Sequence, residues 1–278
     1  MPAFQFPGEL PVSRHLPHGR PELKRFPHRK MVVRIGANLV RLDVLSTTLL
    51  LLLLLASFPA LADGTCRSEA FGDSRYTVCS FDLAKADLRL FWRNDNGEPY
   101  RSFSSLAGAV EEDGSVLTFA MNAGMFQTDF TPMGLHVENG QELRPANTTD
   151  APTGISPVPN FYKKPNGVFY IAGDDAGTLT TKRFLEHGLQ TDHATQSGPV
   201  LVIDGELHPA FIEGSSDRTR RTGVGVSGPG MVHFAISEGR VNFHDFARFF
   251  REFLGCQNAL FLDGGRGTGL YSPELGRR

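Results

Sequence analysis

Residues 242–265 read NFHDFARFFREFLGCQNALFLDGG, a regular helix pattern followed directly by a strand pattern. The helix pattern rests on four phenylalanines at the i, i+3, i+4 and i+7 positions, namely Phe246, Phe249, Phe250 and Phe253. This spacing predicts a helix over 243–254 with the aromatic face in the core, capped by Asn242 and ended by Gly255. The apolar run 259–262 predicts a strand that delivers Asp263 to the rim of a sheet.

Outside this helix, the chain reads mainly as short strands and turns. The predicted strands, each bounded by Gly, Asn, Asp or Pro, are 116–121, 134–137, 168–172, 200–203, 222–226 and 231–236. Asn139-Gly140 and Asp204-Gly205 are tight-turn dipeptides. Residues 147–160 contain three prolines and are predicted to form a surface loop. The predicted fold class is therefore α+β, a single sheet-rich domain with a few packed helices.

The segment 31–62 has the organisation of a signal peptide. Arg34 and Arg41 precede the apolar run 44–58, and the segment ends in small residues up to Ala62. The alternative is a membrane-spanning helix, but the apolar run of about 15 residues falls short of the roughly 20 that cross a bilayer. We therefore predict cleavage after Ala62, no membrane span after that cleavage, and a protein that is periplasmic or secreted.

The predicted signal peptide separates two further parts of the chain. Residues 1–30 are rich in proline and basic side chains without apolar periodicity, which predicts either a disordered segment or a mis-annotated extension of a protein that starts at Met31. Residues 63–278 are predicted to form the working domain. No linker divides them, which favours one domain.

The charge balance differs between the leader and the domain. Of 28 Lys and Arg and 30 Asp and Glu, eight and three lie in residues 1–62. Residues 63–278 therefore carry 20 basic and 27 acidic side chains, a formal net charge of −7. A nucleic-acid binder needs a basic surface to meet phosphates, so nucleic acid is not expected as a partner.

Three cysteines follow the predicted cleavage site, and export would place them in an oxidising compartment. Cys66 and Cys79 are close in sequence, so we predict a local disulfide between them, with Cys256 left free and buried beside the predicted helix. A cysteine nucleophile or metal site is the weaker alternative, because the sequence has no CxxC pair and no histidine at ligand spacing.

Four polar clusters containing glycine come at the ends of predicted strands. The first is MNAGMF, where Asn122 offers a donor and an acceptor and Gly124 lets the backbone approach a ligand. Its alternative is a structural turn. The second is TQSGP, with Ser197 and Gly198. Ser197 lacks the GxSxG setting of a nucleophile elbow, which disfavours a serine hydrolase.

The third cluster places three arginines within four residues. Arginine matches phosphate oxygens with two parallel hydrogen bonds, so the cluster points to a phosphate-bearing ligand. We expect Arg218 and Arg220 to pair with surface acids, and we expect Arg221 to be functional because it directly precedes a strand. The fourth cluster follows the strand 259–262, where Asp263 is a candidate catalytic acid or base and the glycines after it leave room for a ligand.

Together these clusters resemble the phosphodiester glycosidase family, which includes the lysosomal uncovering enzyme, and are most similar to its bacterial branch. The resemblance covers about residues 66–271. The motifs that carry it are MNAGMF (121–126), PMGLHVENG (132–140), NFYKKPNGVF (160–169), TQSGPVLVIDG (195–205), RTGVGV (221–226) and LGCQNALFLDGG (254–265). Each motif alone is weak, whereas the order and spacing of six are specific.

The resemblance implies an exported hydrolase that removes a sugar from a sugar-1-phosphodiester by attack of water at the anomeric carbon. It implies that Asp263 is the catalytic nucleophile or base and that Asn122 acts with it. The implied substrate-binding residues are Gly124, Phe126, Ser197, Gly198, Arg221, Gly264, Gly265 and Thr268. Arg221 would hold the phosphate, and Ser197 would position a sugar hydroxyl or water. Family members usually place a serine soon after Asp-Gly-Gly, and here Thr268 is expected to supply that hydroxyl.

The implied partner is a phosphorylated carbohydrate or an envelope glycan. No cofactor is expected, and help from a divalent cation is left open. Two alternatives from other classes stand beside this interpretation. One is a non-catalytic exported protein that binds carbohydrate or cell-envelope polymer in the same cleft. The other is a metal-dependent phosphodiesterase, which needs clustered ligands that the six histidines of 63–278 do not provide, apart from His244-Asp245 on the predicted helix.

Overall fold

Seven antiparallel strands form the larger sheet of the protein, whose computed structural model describes residues 64–277. In chain order, the strands of these residues are β1 (Thr65–Phe71), β2 (Ser74–Asp82), β3 (Ala120–Met121), β4 (His136–Glu138), β5 (Gln141–Arg144), β6 (Gly167–Ala172), β7 (Asp175–Thr180), β8 (His193–Ser197), β9 (Val200–Ile203), β10 (Glu206–Leu207), β11 (Arg221–Gly228), β12 (Met231–Ser237), β13 (Asn258–Gly264) and β14 (Leu270–Tyr271). The larger sheet has the order β1-β2-β12-β11-β13-β9-β10, and a second sheet has the order β5-β4-β8-β6-β7. A small third sheet pairs β14 with β3.

Few helices accompany these sheets in the described part of the chain. The α-helices are α1 (Phe103–Glu112), α2 (Thr181–His187) and α3 (Phe243–Arg248), and a π-helical turn, Phe249–Phe253, continues α3. Short 3-10 turns lie at Asn160–Tyr162, Gly265–Gly267 and Pro273–Leu275. The predicted α+β class is confirmed. No helix among residues 64–277 is long and apolar enough to span a membrane.

The two larger sheets share a core. Phe169 of the five-stranded sheet belongs to the same apolar cluster as Val224 and Leu260 of the seven-stranded sheet. Successive side chains of a strand point to opposite faces, so Phe261 lies on the other face of the large sheet. There it packs with the aromatic side chains of α3 and the π turn. The large sheet is therefore covered by the second sheet on one face and by the phenylalanine-rich helix on the other.

The start of the phenylalanine-rich helix is as predicted. The Oδ1 atom of Asn242 accepts a hydrogen bond from the backbone N–H of Asp245 at 2.8 Å, which satisfies a free donor of the first turn. Gly255 follows the helix with a φ of 69°, in the left-handed region that glycine adopts at low cost. Both predicted ends of the helical segment are confirmed.

The end of this helix differs from the prediction in its last turn. Leu254 N donates to Phe249 O, an i to i−5 bond that belongs to a π turn. The wider turn carries Phe253 out of the core, and this side chain is 41% exposed. The prediction that Phe253 is buried was therefore wrong, because the spacing rule assumes i to i−4 bonds throughout. Phe246, Phe249 and Phe250 are buried as predicted.

Most predicted strand runs coincide with strands. The runs 168–172, 200–203, 222–226 and 231–236 fall in β6, β9, β11 and β12. The runs 116–121 and 134–137 were too long at their starts, since β3 begins at Ala120 and β4 at His136. Val116 is 76% exposed, and residues 116–119 pair with no strand of the described chain.

Two local predictions about turns and one about a loop are confirmed. Asn139 and Gly140 have φ values of 50° and 76°, and Asp204 and Gly205 have φ values of 50° and 83°, which is the positive-φ pattern of tight hairpin turns. Residues 147–159 contain no helix or strand, in agreement with the predicted loop 147–160.

The cysteine prediction is confirmed. Cys66 and Cys79 form a disulfide between directly opposed positions of β1 and β2. Cys256 is free and buried in the cluster that contains the phenylalanine-rich helix. Burial raises the pKa of the Cys256 thiol to about 12, so it stays protonated and unreactive. The predicted extension 1–30 and signal peptide 31–62 lie outside the described residues.

Candidate active site

Asp263 is the second-last residue of β13, where the strand leaves the large sheet. Its Oδ1 accepts a hydrogen bond from Gly264 N at 2.7 Å. Burial raises the pKa of this carboxyl above its usual range, and the Gly264 bond only partly opposes that effect. No cation of residues 64–277 forms a salt bridge with Asp263. A partly buried carboxyl with a raised pKa and no cationic partner is typical of an acid or base in a site.

The turn Gly265–Gly267 runs against this carboxyl. A Cβ atom at Gly267 would collide with Oδ2 of Asp263, so the backbone approaches the carboxyl at a distance that only glycine permits. Gly265 has a φ of 63°, which glycine also favours. Thr268 Oγ1 donates to Gly265 O at 2.9 Å, so the threonine closes this turn. The Thr268 hydroxyl, which was expected to serve the substrate, thus holds the turn over Asp263 in this structure.

The hydroxyl of Thr222 connects Asp263 with Asn122. Asn122 Nδ2 donates to Thr222 Oγ1 at 2.9 Å, and that hydroxyl donates to Asp263 O at 3.1 Å. Asp263 N approaches the same oxygen at 3.2 Å. The structure thus brings together Asn122 and Asp263, which are far apart in the chain.

The other end of the Asn122 amide holds the chain beyond the glycine turn. Its Oδ1 accepts from Gly269 N at 3.0 Å. The segment after Gly269 continues into β14, which pairs with β3, directly before Asn122. Asn122 therefore fixes the turn over Asp263 from both sides, and both ends of its amide are used within the protein.

Gly124 packs against the end of β8. Its backbone N–H donates to Thr195 Oγ1 at 3.1 Å, and an added Cβ would collide with the Gln196 backbone. Phe126 follows on a short hairpin and is 44% exposed, with its ring stacked on that of Phe130 at a centroid distance of 5.6 Å. Gly124 thus serves close packing, and Phe126 is an exposed aromatic at the same loop.

Ser197 takes a supporting position. Its side chain is fully buried, and its hydroxyl donates to Leu262 O at 2.6 Å, one residue before Asp263. Its one hydroxyl proton is engaged within the protein, and the predicted contact with a sugar hydroxyl or water stays a prediction. Gly198 lies against Asn166, whose Cβ would be 2.6 Å from a Cβ added at Gly198. Both residues fix β8 and the turn after it beside β13.

Arg221 is buried and held by protein groups. Its guanidinium donates through Nε to Val241 O at 2.9 Å and through Nη2 to Asp217 O at 3.1 Å. Its Cζ lies 3.6 Å from the centroid of the Phe243 ring. The side chain is 1% exposed, and burial lowers its pKa to about 10. The predicted phosphate contact is therefore not accessible here, because backbone carbonyls already occupy these donors.

Of the neighbouring arginines, Arg218 pairs with an acid as expected, whereas Arg220 is partly buried and forms no salt bridge in the described chain. Arg218 lies 3.5 Å from a carboxylate oxygen of Asp245, and Arg220 donates to Ser237 O at 3.4 Å. Among residues 64–277 no group of three or more His, Cys, Asp or Glu side chains is arranged to hold a metal ion.

Sequence reasoning missed several residues that build the site. Thr222 was recognised only as part of a motif, and its bridging role depends on the register of β11 against β13. Gln196 was passed over for its neighbour Ser197, although its buried amide binds Leu135 N and both backbone groups of Asn147. The signal for Gln196 was present in TQSGP, where an amide side chain stands directly before Ser197 and Gly198.

Comparison with known proteins agrees with this geometry. The sequence profile of the family described as phosphodiester glycosidase matches residues 115–277. The chain belongs to the phosphodiester glycosidase family. The match includes every candidate site residue from Asn122 to Thr268 and leaves out the disulfide-bonded hairpin β1–β2. The family resemblance stated from the six motifs is confirmed.

Two relatives illustrate the breadth of this phosphodiester glycosidase family. The chain is 32% identical over 230 residues to a protein of Escherichia coli strain K12 described as uncharacterized protein YigE, which covers 83% of this chain and 84% of that protein. It resembles the solved catalytic domain of zebrafish N-acetylglucosamine-1-phosphodiester alpha-N-acetylglucosaminidase, auto-inhibited by its pro-peptide, with a TM-score of 0.53. That match has 16% identity and covers 76% of this chain and 73% of the zebrafish chain, so it shows a shared fold.

Proposed function

We propose that this protein is an exported glycosidase that removes a sugar from a sugar-1-phosphodiester. The observation that carries the proposal is the setting of Asp263. This carboxyl is partly buried at a strand end, has no cationic partner in the described chain, and lies against a turn that approaches it through glycine backbone. Membership of the phosphodiester glycosidase family supports the same reaction class.

In the proposed reaction Asp263 acts as the base. The carboxylate takes a proton from a water molecule, the water oxygen bonds to the anomeric carbon, and the bond from that carbon to the phosphate oxygen breaks. The electron pair leaves with the phosphate, so the products are a free sugar and a phosphate monoester. A carboxyl with a raised pKa is a stronger base than an ordinary one when it is ionised, which suits this role. Attack by the carboxylate itself, followed by hydrolysis, is the nucleophilic variant of the same reaction.

In this proposal Asn122 is a positioning residue. It was predicted to act with Asp263, and its amide bonds to Thr222 and Gly269 instead hold the two sides of the turn over the carboxyl. Thr222 completes this support through the Asp263 backbone. The three residues together fix where the carboxyl stands relative to a bound sugar.

Export is part of the proposal. The disulfide between Cys66 and Cys79 is a linkage typical of proteins outside the reducing cytoplasm. It supports the interpretation of residues 31–62 as a signal peptide, with 63–278 as the working domain in the periplasm or medium. A phosphorylated carbohydrate or an envelope glycan is the substrate class that such a location supplies.

The test is hydrolysis of a panel of sugar-1-phosphodiesters by the purified protein in ¹⁸O-labelled water. We expect a free sugar and a phosphate monoester, with the label in the sugar, because the carbon–oxygen bond is broken. Label in the phosphate would instead identify a phosphodiesterase. Binding of the diesters without any hydrolysis would favour the non-catalytic carbohydrate-binding alternative, and either result would overturn the proposal.

A further inference from the structure

A cleft of about 490 Å³ lies beside α3, between the loop 147–160 and the loop 208–217. Six of the residues that line it carry the inference: Val158, Lys163, Phe211, Ile212, Asp217 and Phe243. None of them was singled out among the candidate site residues. Lys163 belongs to the motif NFYKKPNGVF, which the proposed function does not use.

The floor of the cleft has an excess of positive charge. The ammonium of Lys163 lies 5.2 Å from the centroid of the Phe243 ring, and the guanidinium of Arg221 lies 3.6 Å from the same centroid. Asp217 is the carboxylate that faces both cations, and it is 3.6 Å from Arg221 Nη2. Lys163 forms no salt bridge within residues 64–277. Two cations against one carboxylate leave this cleft suited to an anion.

Several other polar groups of the cleft are engaged within the protein. Lys164 Nζ donates to Thr148 O at 3.2 Å. His208 contacts Lys164 O through Nε2 and accepts from Ala210 N through Nδ1, and burial lowers its pKa, so the ring is neutral. His244 Nδ1 lies 3.6 Å from Asp245 and has no hydrogen-bond partner among the described residues. Lys163 is therefore the lysine of the cleft lining whose ammonium has neither a hydrogen bond nor a salt bridge within residues 64–277.

The rim of the same cleft is apolar and exposed. Ile212 is 71% exposed on one loop, and Val158 is 39% exposed on the other. Phe211 packs its ring on Phe243 at a centroid distance of 5.0 Å and extends the apolar surface from the rim to the charged floor. Exposed branched side chains on two loops that face one cleft indicate a binding surface for an apolar group.

The cleft is separate from the candidate active site. Phe243 packs edge to face on Phe261 at 4.9 Å, two residues before Asp263 on the same strand. The residues that line the cleft include none of the candidate site residues, and neither Lys163 nor Arg221 is among the groups that shift the pKa of Asp263. The cleft and the Asp263 carboxyl are therefore two different sites.

We propose that this cleft is a second binding site, separate from the Asp263 carboxyl, and that its ligand is a phosphate ester of a long apolar alcohol. Lys163 contacts the phosphate, and Val158, Phe211 and Ile212 lie along the apolar chain. Binding at this cleft does not depend on the sugar chemistry proposed for Asp263.

The experiment measures binding of decyl phosphate and methyl phosphate to the purified protein by calorimetry. Neither probe contains a sugar, so the result does not depend on catalysis by Asp263. Because each buried methylene adds to affinity, we expect decyl phosphate to bind at least about tenfold more tightly than methyl phosphate. Equal affinity for the two probes would overturn the inference.

Three variants locate the binding. Lys163→Met should weaken decyl phosphate binding by about tenfold or more, since a charged contact to phosphate is lost. Ile212→Ser should weaken decyl phosphate binding and leave methyl phosphate binding unchanged. Lys182→Met is the matched control, because this lysine is 85% exposed on α2 and pairs with Glu186, and it should change neither affinity. Unchanged binding in Lys163→Met would contradict the inference.

The outcomes separate this inference from the proposed function. If decyl phosphate binds through Lys163 but no sugar diester is hydrolysed, the proposed function fails and the ligand chemistry of the cleft stands. If sugar diesters are hydrolysed and decyl phosphate binds no more tightly than methyl phosphate, the glycosidase stands and the apolar ligand class of the cleft fails.

Discussion

Asp263 and Arg221 lie on neighbouring strands at one end of the large sheet, yet their charged groups have very different partners. Arg221 is paired in the ladder with Gly264, next to Asp263. Its guanidinium is bonded to two carbonyls and rests on Phe243. The Asp263 carboxyl has one backbone donor, no salt bridge in the described chain, and a pKa raised by burial. The same sequence signal, a charged residue at a strand boundary, thus leads to a structural cation and to a candidate catalytic acid or base.

The partners of a charge therefore decide its role. A buried cation that is bonded to carbonyls contributes to the fold, whereas a partly buried carboxyl without a cation lowers stability unless a ligand or reaction uses it. Lys163 is a third case, because it is partly buried near Arg221 and lacks a salt bridge within residues 64–277. Four expected results test this difference between the two residues.

The largest expected effect is on catalysis by Asp263. Asp263→Asn keeps the size of the side chain and removes the base, so hydrolysis of a sugar-1-phosphodiester should fall by about a thousandfold or more, with the fold retained. The measurement is the rate of sugar release together with circular dichroism. Asp73→Asn, in the exposed turn between β1 and β2, is the control and should retain the parent rate. A parent-like rate in Asp263→Asn would remove Asp263 from the mechanism.

The second effect is on stability at Arg221. Arg221→Lys keeps a positive charge and cannot reproduce the bonds to Val241 O and Asp217 O, so we expect a loss of about 3 kcal/mol in the free energy of unfolding. Urea unfolding measures this loss. Arg220→Lys is the matched control, since Arg220 makes one long bond to Ser237 O, and it should cost less than about 1 kcal/mol. A stable Arg221→Lys protein with weakened substrate binding would restore the predicted phosphate role.

The contrast also shows how much the sequence alone could predict. The hairpin at Asp204-Gly205, the cap at Asn242 and the disulfide depend on neighbours close in the chain, and all three predictions were correct. Family membership was also predicted from six ordered motifs. The motif residues Asn122 and Asp263 do come together. The family resemblance predicted this, whereas their positions in the sequence alone did not.

Other features depend on the fold and could not be predicted. The accessibility of Arg221 and Ser197 is decided by the carbonyls of Val241 and Leu262, which the fold brings to these side chains from distant positions. The strand β7 has little apolar alternation and forms because β6 offers it a full set of partners. The helix α1 carried a local signal that was overlooked, since Ser102 caps it by accepting from Ser105 N.

A third effect concerns Thr222, which supports Asp263 without carrying charge. Thr222→Val removes the hydroxyl that links Asn122 to the Asp263 backbone, so we expect kcat to fall by about tenfold with a smaller change in KM, and stability to fall by about 1–2 kcal/mol. Thr178→Val is the control, because the buried Thr178 Oγ1 has no hydrogen-bond partner among the described residues. It should keep both kcat and stability. Equal behaviour of the two variants would show that the Thr222 bridge does not position the site.

The smallest effect is the pH dependence of stability. The folded pKa of Asp263 is raised, so the fold favours its neutral form; that contribution is present at acidic pH and is lost as pH rises through the folded pKa. Asp263→Asn should therefore be more stable than the parent at pH 7, and the difference should shrink as pH falls toward the ordinary Asp range near 3.9. The contribution of Glu252 to stability depends on pH in the opposite direction, because Arg248 and Arg251 lower the pKa of Glu252 to about 2. Glu252→Gln should lose stability at pH 7, and the difference from the parent should disappear as pH falls from the ordinary glutamate range toward about 2. Urea unfolding at a series of pH values checks both, and the same sign for the two variants would contradict the opposite environments assigned to these carboxyls.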